Sequence, residues 1–205
     1  MTILGTLKAA NDARWAHMRV TLTLLAHIDG VADRLLAAKA RYQNIAAITH
    51  VPWFVIAVIH EREASQSWLA NIAQGDPWCK VSTRVPRGRG PFASWEDAAI
   101  DALKNCAPCA GRWGDWSAGG ALTLLEQYNG LGYAEGPFDK ASGKKYPPQA
   151  SPYIWASTDQ YKKGKYITDG HFDPNAIDSQ LGCAALIARM MAKDSSVAFT
   201  QAVAA

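Results

Sequence analysis

Two glutamates close an otherwise apolar run. Residues 53–59 read Trp-Phe-Val-Ile-Ala-Val-Ile, and His60-Glu61-Arg62-Glu63 follows directly. A carboxyl at the edge of apolar surroundings keeps its proton to higher pH, because burial disfavours the charged form. Such a group can protonate a leaving oxygen, which is how a glycosidic bond is opened. Ile56 and Ile59 stand seven and four residues before Glu63, on one helical face. Ala57 and Val58 relate to Glu61 in much the same way, so periodicity does not choose between the two acids. The plain structural alternative is ion pairing with Arg62 or Arg14. Asp76, in Gln74-Gly75-Asp76-Pro77, is the candidate second carboxylate. It would activate water or act as nucleophile, depending on its separation from the first. A Gly-Asp-Pro turn, with Asp bonding its own backbone, explains it equally well.

The chain has eight Trp and seven Tyr. Aromatic faces bury the apolar faces of sugars while hydroxyls bond at the rim. Trp68, Trp78, Tyr153, Trp155 and Tyr161 are the candidate groove aromatics, with core packing the expected fate of at least half of them. The run Glu126-Gln127-Tyr128-Asn129-Gly130-Leu131-Gly132-Tyr133 adds amide and phenol groups near a helix end.

The elements that would carry these residues are mostly helical. Val31, Leu35, Ala38, Tyr42, Ile45 and Ile48 recur at spacings of three and four, which makes one amphipathic face. Thr49-His50-Val51-Pro52 interrupts it, and Pro52 suits the first turn of a new helix reaching about Ser65. That helix is apolar almost all round and belongs in the interior of its domain. From Gln74 to Phe92, Gly and Pro dominate; Val81, Thr83 and Val85 alternate, which predicts a short hairpin or extended lobe. Lys80, Arg84, Arg87 and Arg89 fall in this stretch with no acid between them, as a solvated loop or a basic lip for an anionic polymer. Ser94, with Asp97 three residues on, predicts a cap for a helix to about Leu103. Ser117 predicts another cap, and Asn129-Gly130 the end of that helix. Residues 130–170 read as a long irregular stretch, and Asp173-Pro174 as the opening of a last helix through Ile177, Leu181, Ala184, Leu186 and Ile187. The fold class expected is mainly α with a small β or irregular lobe. One domain is expected over residues 1–205, with N-terminal helices to about 50, a core from about 51 to 192 and a frayed tail over 193–205.

Composition narrows the functional classes. Apolar residues make up 49% and charged residues 19%, a globular balance. A net charge of +3 favours an anionic partner but is too small to argue for nucleic acid. No stretch approaches the roughly 20 apolar residues of a membrane span, so no stable membrane insertion is expected. Cys106-Ala-Pro-Cys109 has no second CxxC and no His pair at ligand spacing, so no zinc site is expected, and the chemistry read from the carboxylates calls for no metal or cofactor. The apolar run Val20–Ile28 is followed by Asp29 and Asp33, and no clear signal peptide is read.

His60-Glu61-Arg62-Glu63-Ala64-Ser65 resembles the Glu-Ser signature that ends the catalytic helix of goose-type lysozymes and lytic transglycosylases. Tyr128-Asn129-Gly130-Leu131-Gly132-Tyr133 resembles that family's Tyr-Asn-x-Gly motif, whose Tyr lies close to the catalytic acid. Over about residues 40 to 190 the chain also resembles phage and prophage lysozyme-like endolysins, in runs such as Asn71–Trp78, Val85–Phe92 and Gly164-Lys165-Tyr166. The resemblance implies a lysozyme-like helical fold. It implies a muramidase that cuts peptidoglycan between N-acetylmuramic acid and N-acetylglucosamine, with Glu63 as general acid and Tyr128 and Asn129 placing the sugar. A transglycosylase giving an anhydro-muramyl product, and a non-catalytic wall-binding or virion protein on the same fold, are the alternatives. Asp76 follows Glu63 by 13 residues, a spacing similar to that of an acidic residue in goose-type lysozymes; lytic transglycosylases need none. Ala64 departs from the family, which usually has Ser there. The implied protein is a monomer made in the host cytoplasm. It acts on the wall or periplasm after passage through, for example, a holin-type pore.

Overall fold

The computed structural model describes residues 2–200. Among them are eight α-helices, two short 3-10 turns and two small antiparallel hairpins. About 48% of the described residues are helix and 8% strand, so the mainly-α class holds. No single described helix is long and apolar enough to cross a membrane. Two compact units emerge. One joins the described residues of the stretches Met1–Ala32 and Trp116–Ala205; the other is the continuous stretch Asp33–Asp115. The divisions fall at residues 32 and 115.

In the discontinuous unit, α1 (Ile3–His17) starts at Thr2, whose hydroxyl accepts from the Gly5 amide at 3.2 Å. It packs on α6 (Ala118–Asn129), capped by Ser117 through the Gly120 amide as expected. Asp12 on α1 also accepts from Gly119 N at 2.6 Å, fixing the start of α6. Helix α6 gives way at Gly130, whose φ of +96° suits glycine. α7 (Pro152–Trp155) and α8 (Cys183–Lys193) complete the helical packing. Strands β1 (Phe138–Asp139) and β2 (Lys144–Lys145) pair as one hairpin, β3 (Lys165–Thr168) and β4 (His171–Asp173) as another. The stretch 130–170 is thus not structureless. The last helix begins at Cys183, and Ile177, expected on its apolar face, is exposed. Val197 is buried and Phe199 meets Trp15 edge to face, so residues 194–200 are not frayed; residues 201–205 lie outside the described residues.

The first division falls within α2 (Leu25–Ala37). The amphipathic run read as one helix is two, because Ala38 leaves helical geometry before α3 (Lys39–Thr49). Val31, Leu35, Tyr42 and Ile45 are buried, whereas Ile48 is exposed. His50, in the left-handed region, turns the chain through 111° into α4 (Trp53–Ala64). Helix α4 has Pro52 at its N-cap and buries every residue from Trp53 to His60. Ser94 caps α5 (Trp95–Asn105), accepting from Asp97 N at 3.0 Å while its hydroxyl donates to the Asp97 carboxylate. Of the two alternatives expected over 74–92, the short hairpin does not form and the stretch is irregular. Ser82 instead organises loops there, donating to the Pro86 carbonyl and accepting from the Arg89 amide. Gly and Pro at 86, 88, 90 and 91 deny the regular spacing that a strand ladder needs.

Candidate active site

Glu63 sits half-buried in the last turn of α4. The turn is sharp. Ser65 and Gln66 both have positive φ, +48° and +60°. Ser65 N donates to Glu61 O at 2.9 Å, and Gln66 N to His60 O at 3.2 Å. Glu61 is drawn into the same turn, since its carboxylate accepts from Gln66 Nε2 at 2.7 Å. Ala64, standing where the resembling family has Ser, uses its carbonyl to accept from Ser67 N at 2.9 Å.

The chain then folds back on the glutamate. Gly75, at φ +74°, lies so close that a Cβ there would fall 2.8 Å from the Glu63 carbonyl oxygen. Asn71 N donates to Asp76 O at 2.7 Å and Gly75 N to Asn71 O at 2.9 Å, so the Asn71–Asp76 loop is closed on itself beside the end of α4. The two segments bearing the expected carboxylates are therefore adjacent in one unit. The Asp76 carboxylate accepts from Arg84 N at 3.0 Å and from Thr83 N at 2.8 Å, with the Arg84 guanidinium 3.5 Å from its other oxygen. The bond from the Arg84 amide, then that from Thr83, hold this carboxyl below its usual range. Gln74, next to Gly75, has both amide atoms buried without a hydrogen-bond partner. The basic stretch is not a bare lip: Arg84 pairs with Asp76, and Arg89 forms a two-pronged bond to Asp101 on α5.

Trp68 and Trp78 follow closely. Trp78 donates its indole N–H to the Trp68 carbonyl at 2.8 Å. Trp68 stacks on Tyr42 at 5.5 Å between centroids and carries the Arg41 guanidinium 3.9 Å above its ring. Arg41 is held in turn by Glu96.

The other expected binding residues belong to the discontinuous unit. Tyr128 is half-buried and Asn129 exposed at the end of α6. Tyr153 and Trp155 are buried, 3% and 0% exposed, so α7 turns both rings into the core and neither offers a face to a ligand. Tyr161 serves its own loop: its hydroxyl reaches the Gly164 carbonyl at 3.3 Å and accepts from Asp178 N at 3.2 Å.

Two residues that the sequence reading passed over stand out. His60 is fully buried, and desolvation lowers its pKa to about 4, partly opposed by its bond to Ser67. Glu126 on α6 is 1% exposed, and neither carboxyl oxygen has a hydrogen-bond partner. Burial raises its pKa to about 7; the nearby Arg14 charge, and then the Asn11 amide, draw it partway back. The Asn11 amide acts on Glu126 without meeting hydrogen-bond geometry to either oxygen, and donates instead to the Thr123 hydroxyl at 3.2 Å. Both residues left a trace in the sequence: His60 interrupts a wholly apolar run, and Glu126 lies one turn after the apolar Leu122. No family model, curated protein or solved structure matches the chain.

Proposed function

We propose that this chain cleaves the glycan strands of peptidoglycan, with Glu63 as general acid, on a lysozyme-like helical scaffold. The observation that carries the reading is the setting of Glu63. It ends a helix whose eight preceding core residues are all buried, and the loop bearing Asp76 closes against its carbonyl. A half-buried carboxyl at the end of such a helix can hand a proton to the oxygen linking N-acetylmuramic acid to N-acetylglucosamine. The resemblance of residues 60–65 to the Glu-Ser signature of goose-type lysozymes and lytic transglycosylases, and of residues 128–133 to their Tyr-Asn-x-Gly motif, supports the same assignment.

Bond cleavage leaves positive charge at the muramyl anomeric carbon. In the hydrolytic route, water attacks that carbon and an ionised carboxylate takes the water's proton; Asp76 is the candidate. Asp76 is, however, spent on Thr83 and Arg84. That engagement favours the second route, in which the muramyl 6-hydroxyl closes on the anomeric carbon and returns its proton to Glu63. Trp68 and Trp78 are the aromatic groups of this unit that border the reacting turn in sequence.

Glu63→Gln should reduce release of soluble fragments from purified peptidoglycan by on the order of a thousandfold with the fold intact. Near-normal activity in that variant would end the proposal. Mass spectrometry of the wild-type digest separates the two routes, since an anhydro product is lighter by one water. Binding to sacculi without any cleavage would favour the wall-binding alternative.

A further inference from the structure

We infer that His60 is a positioning residue for Glu63, fixing the strained turn that carries the carboxyl. This rests on the reading of Glu63 as the acid. His60 and Glu63 share the last turns of α4, but their side chains need not touch for the coupling to work, because the link runs through the turn itself.

The imidazole spans two segments. Nδ1 lies 2.8 Å from the Tyr42 hydroxyl on α3, and Nε2 lies 3.0 Å from the Ser67 carbonyl. A carbonyl only accepts, so Nε2 carries the hydrogen and donates to Ser67. Nδ1 is then the acceptor, and the Tyr42 hydroxyl donates to it. Both ring nitrogens are satisfied in the neutral form. The ring is fixed from its faces and edges as well, with centroids 4.5 Å from Trp68 and 4.7 Å from Trp95. The charged and titratable groups around it are Arg41 and Tyr42 on α3, Glu96 on α5 through its pair with Arg41, and Glu61 on its own helix.

The turn needs such an anchor. Ser65 and Gln66 are two consecutive non-glycine residues in the left-handed region, a conformation that persists only where the surroundings over-determine it. Backbone bonds from Ser65, Gln66 and Ser67 close the turn back onto residues 60–64. The His60 ring adds the bond that ties its far end, Ser67, to the helix interior. Without that tie the last turn of α4 can fray, as helix ends do. Glu63 would then lose its fixed direction relative to the bond it must protonate. Misplacement of a reacting group by about an ångström is enough to cost orders of magnitude in rate.

Two near-isosteres separate the two ring nitrogens. Gln at position 60 can place an N–H where Nε2 stands, whereas Asn can place an acceptor where Nδ1 stands but does not reach Ser67. Steady-state cleavage of peptidoglycan by the full chain, with backbone hydrogen–deuterium exchange over residues 61–67, is the measurement. His60→Gln should keep kcat within about threefold of wild type. His60→Asn should lower kcat by roughly tenfold or more with KM unchanged, and should exchange faster over 61–67. Equal kcat in the two variants, or loss in KM alone, overturns the inference. Should neither variant fold, Tyr42→Phe decides: it spares the Ser67 bond and should keep kcat within about twofold, and a larger fall overturns the role. An inactive wild type, or an active Glu63→Gln, instead overturns the parent reading. Loss in Glu63→Gln alongside unchanged kcat in His60→Asn overturns the positioning role only.

Discussion

His60 on α4 and Glu126 on α6 are buried titratable side chains, one in each unit, and they are treated in opposite ways. His60 in the continuous unit has a partner for each ring nitrogen and aromatic rings around it. Glu126 in the discontinuous unit is equally hidden, yet both its oxygens lack a hydrogen bond. The burial is similar and the consequence is not. Burial holds both groups neutral, and where hydrogen bonds replace the lost water the neutral group also becomes a brace. Both end neutral near pH 6, but only one contributes to order.

The sharpest way to break this contrast is His60→Ala. It removes two hydrogen bonds, strands the Tyr42 hydroxyl and leaves a void among Trp68, Trp95 and Tyr42, which should cost about 3 kcal/mol in urea unfolding. A cost below about 1 kcal/mol would show the bonds to be incidental. In wild type, the unfolded chain protonates this imidazole near 6.5 and the folded one only near 4, so its stabilising share is lost as pH falls through that window.

Glu126→Gln comes next and acts with the opposite sign. The carboxyl binds its proton more tightly folded than unfolded, so wild type should lose stability as pH rises from about 4.5 to about 7. Removing the ionisation should make the variant more stable at pH 8 by about 2 kcal/mol, with little difference at pH 4. Carbon-13 titration of the Glu126 carboxyl sharpens the test; a midpoint at the ordinary carboxylate value would place the group in contact with water. Tyr42→Phe is the smallest change. It deletes the donor to Nδ1 and should cost about 1 kcal/mol, measured against wild type at pH 7.

What the sequence disclosed was what neighbours along the chain decide. The apolar run at 53–59 specified α4 to within a residue or two, and Ser94 and Ser117 each cap the helix expected of them, because those signals act over three or four positions. The break at Ala38 was hidden, since alanine carries no turn signal and the apolar spacing continues through it. The alternation at 81–85 suggested strands that had no partner to pair with, while the real hairpins occupy runs of two to four residues, too short for a period to show. The acids Glu63 and Asp76 were legible as candidates, and the closeness of their segments was not: it depends on a loop closing through Asn71 and Gly75. Trp155 looked like a groove ring because sequence cannot say which face of α7 turns inward. His60 was passed over because its partners, Tyr42 and Ser67, lie 18 and 7 residues away.

The split course of the discontinuous unit has a consequence for biosynthesis. Asn11 on α1 meets Thr123 on α6 across a separation of 112 residues, and Asp12 meets Gly119 across 107. A ribosome therefore releases the first helix long before its packing partner exists. The intervening stretch, being continuous, can complete its own core during that wait. A permutant that links the segment after α8 to the start of α1 and reopens the chain near residue 115 would alter that schedule, and its refolding rate would report how much the waiting helix delays the molecule.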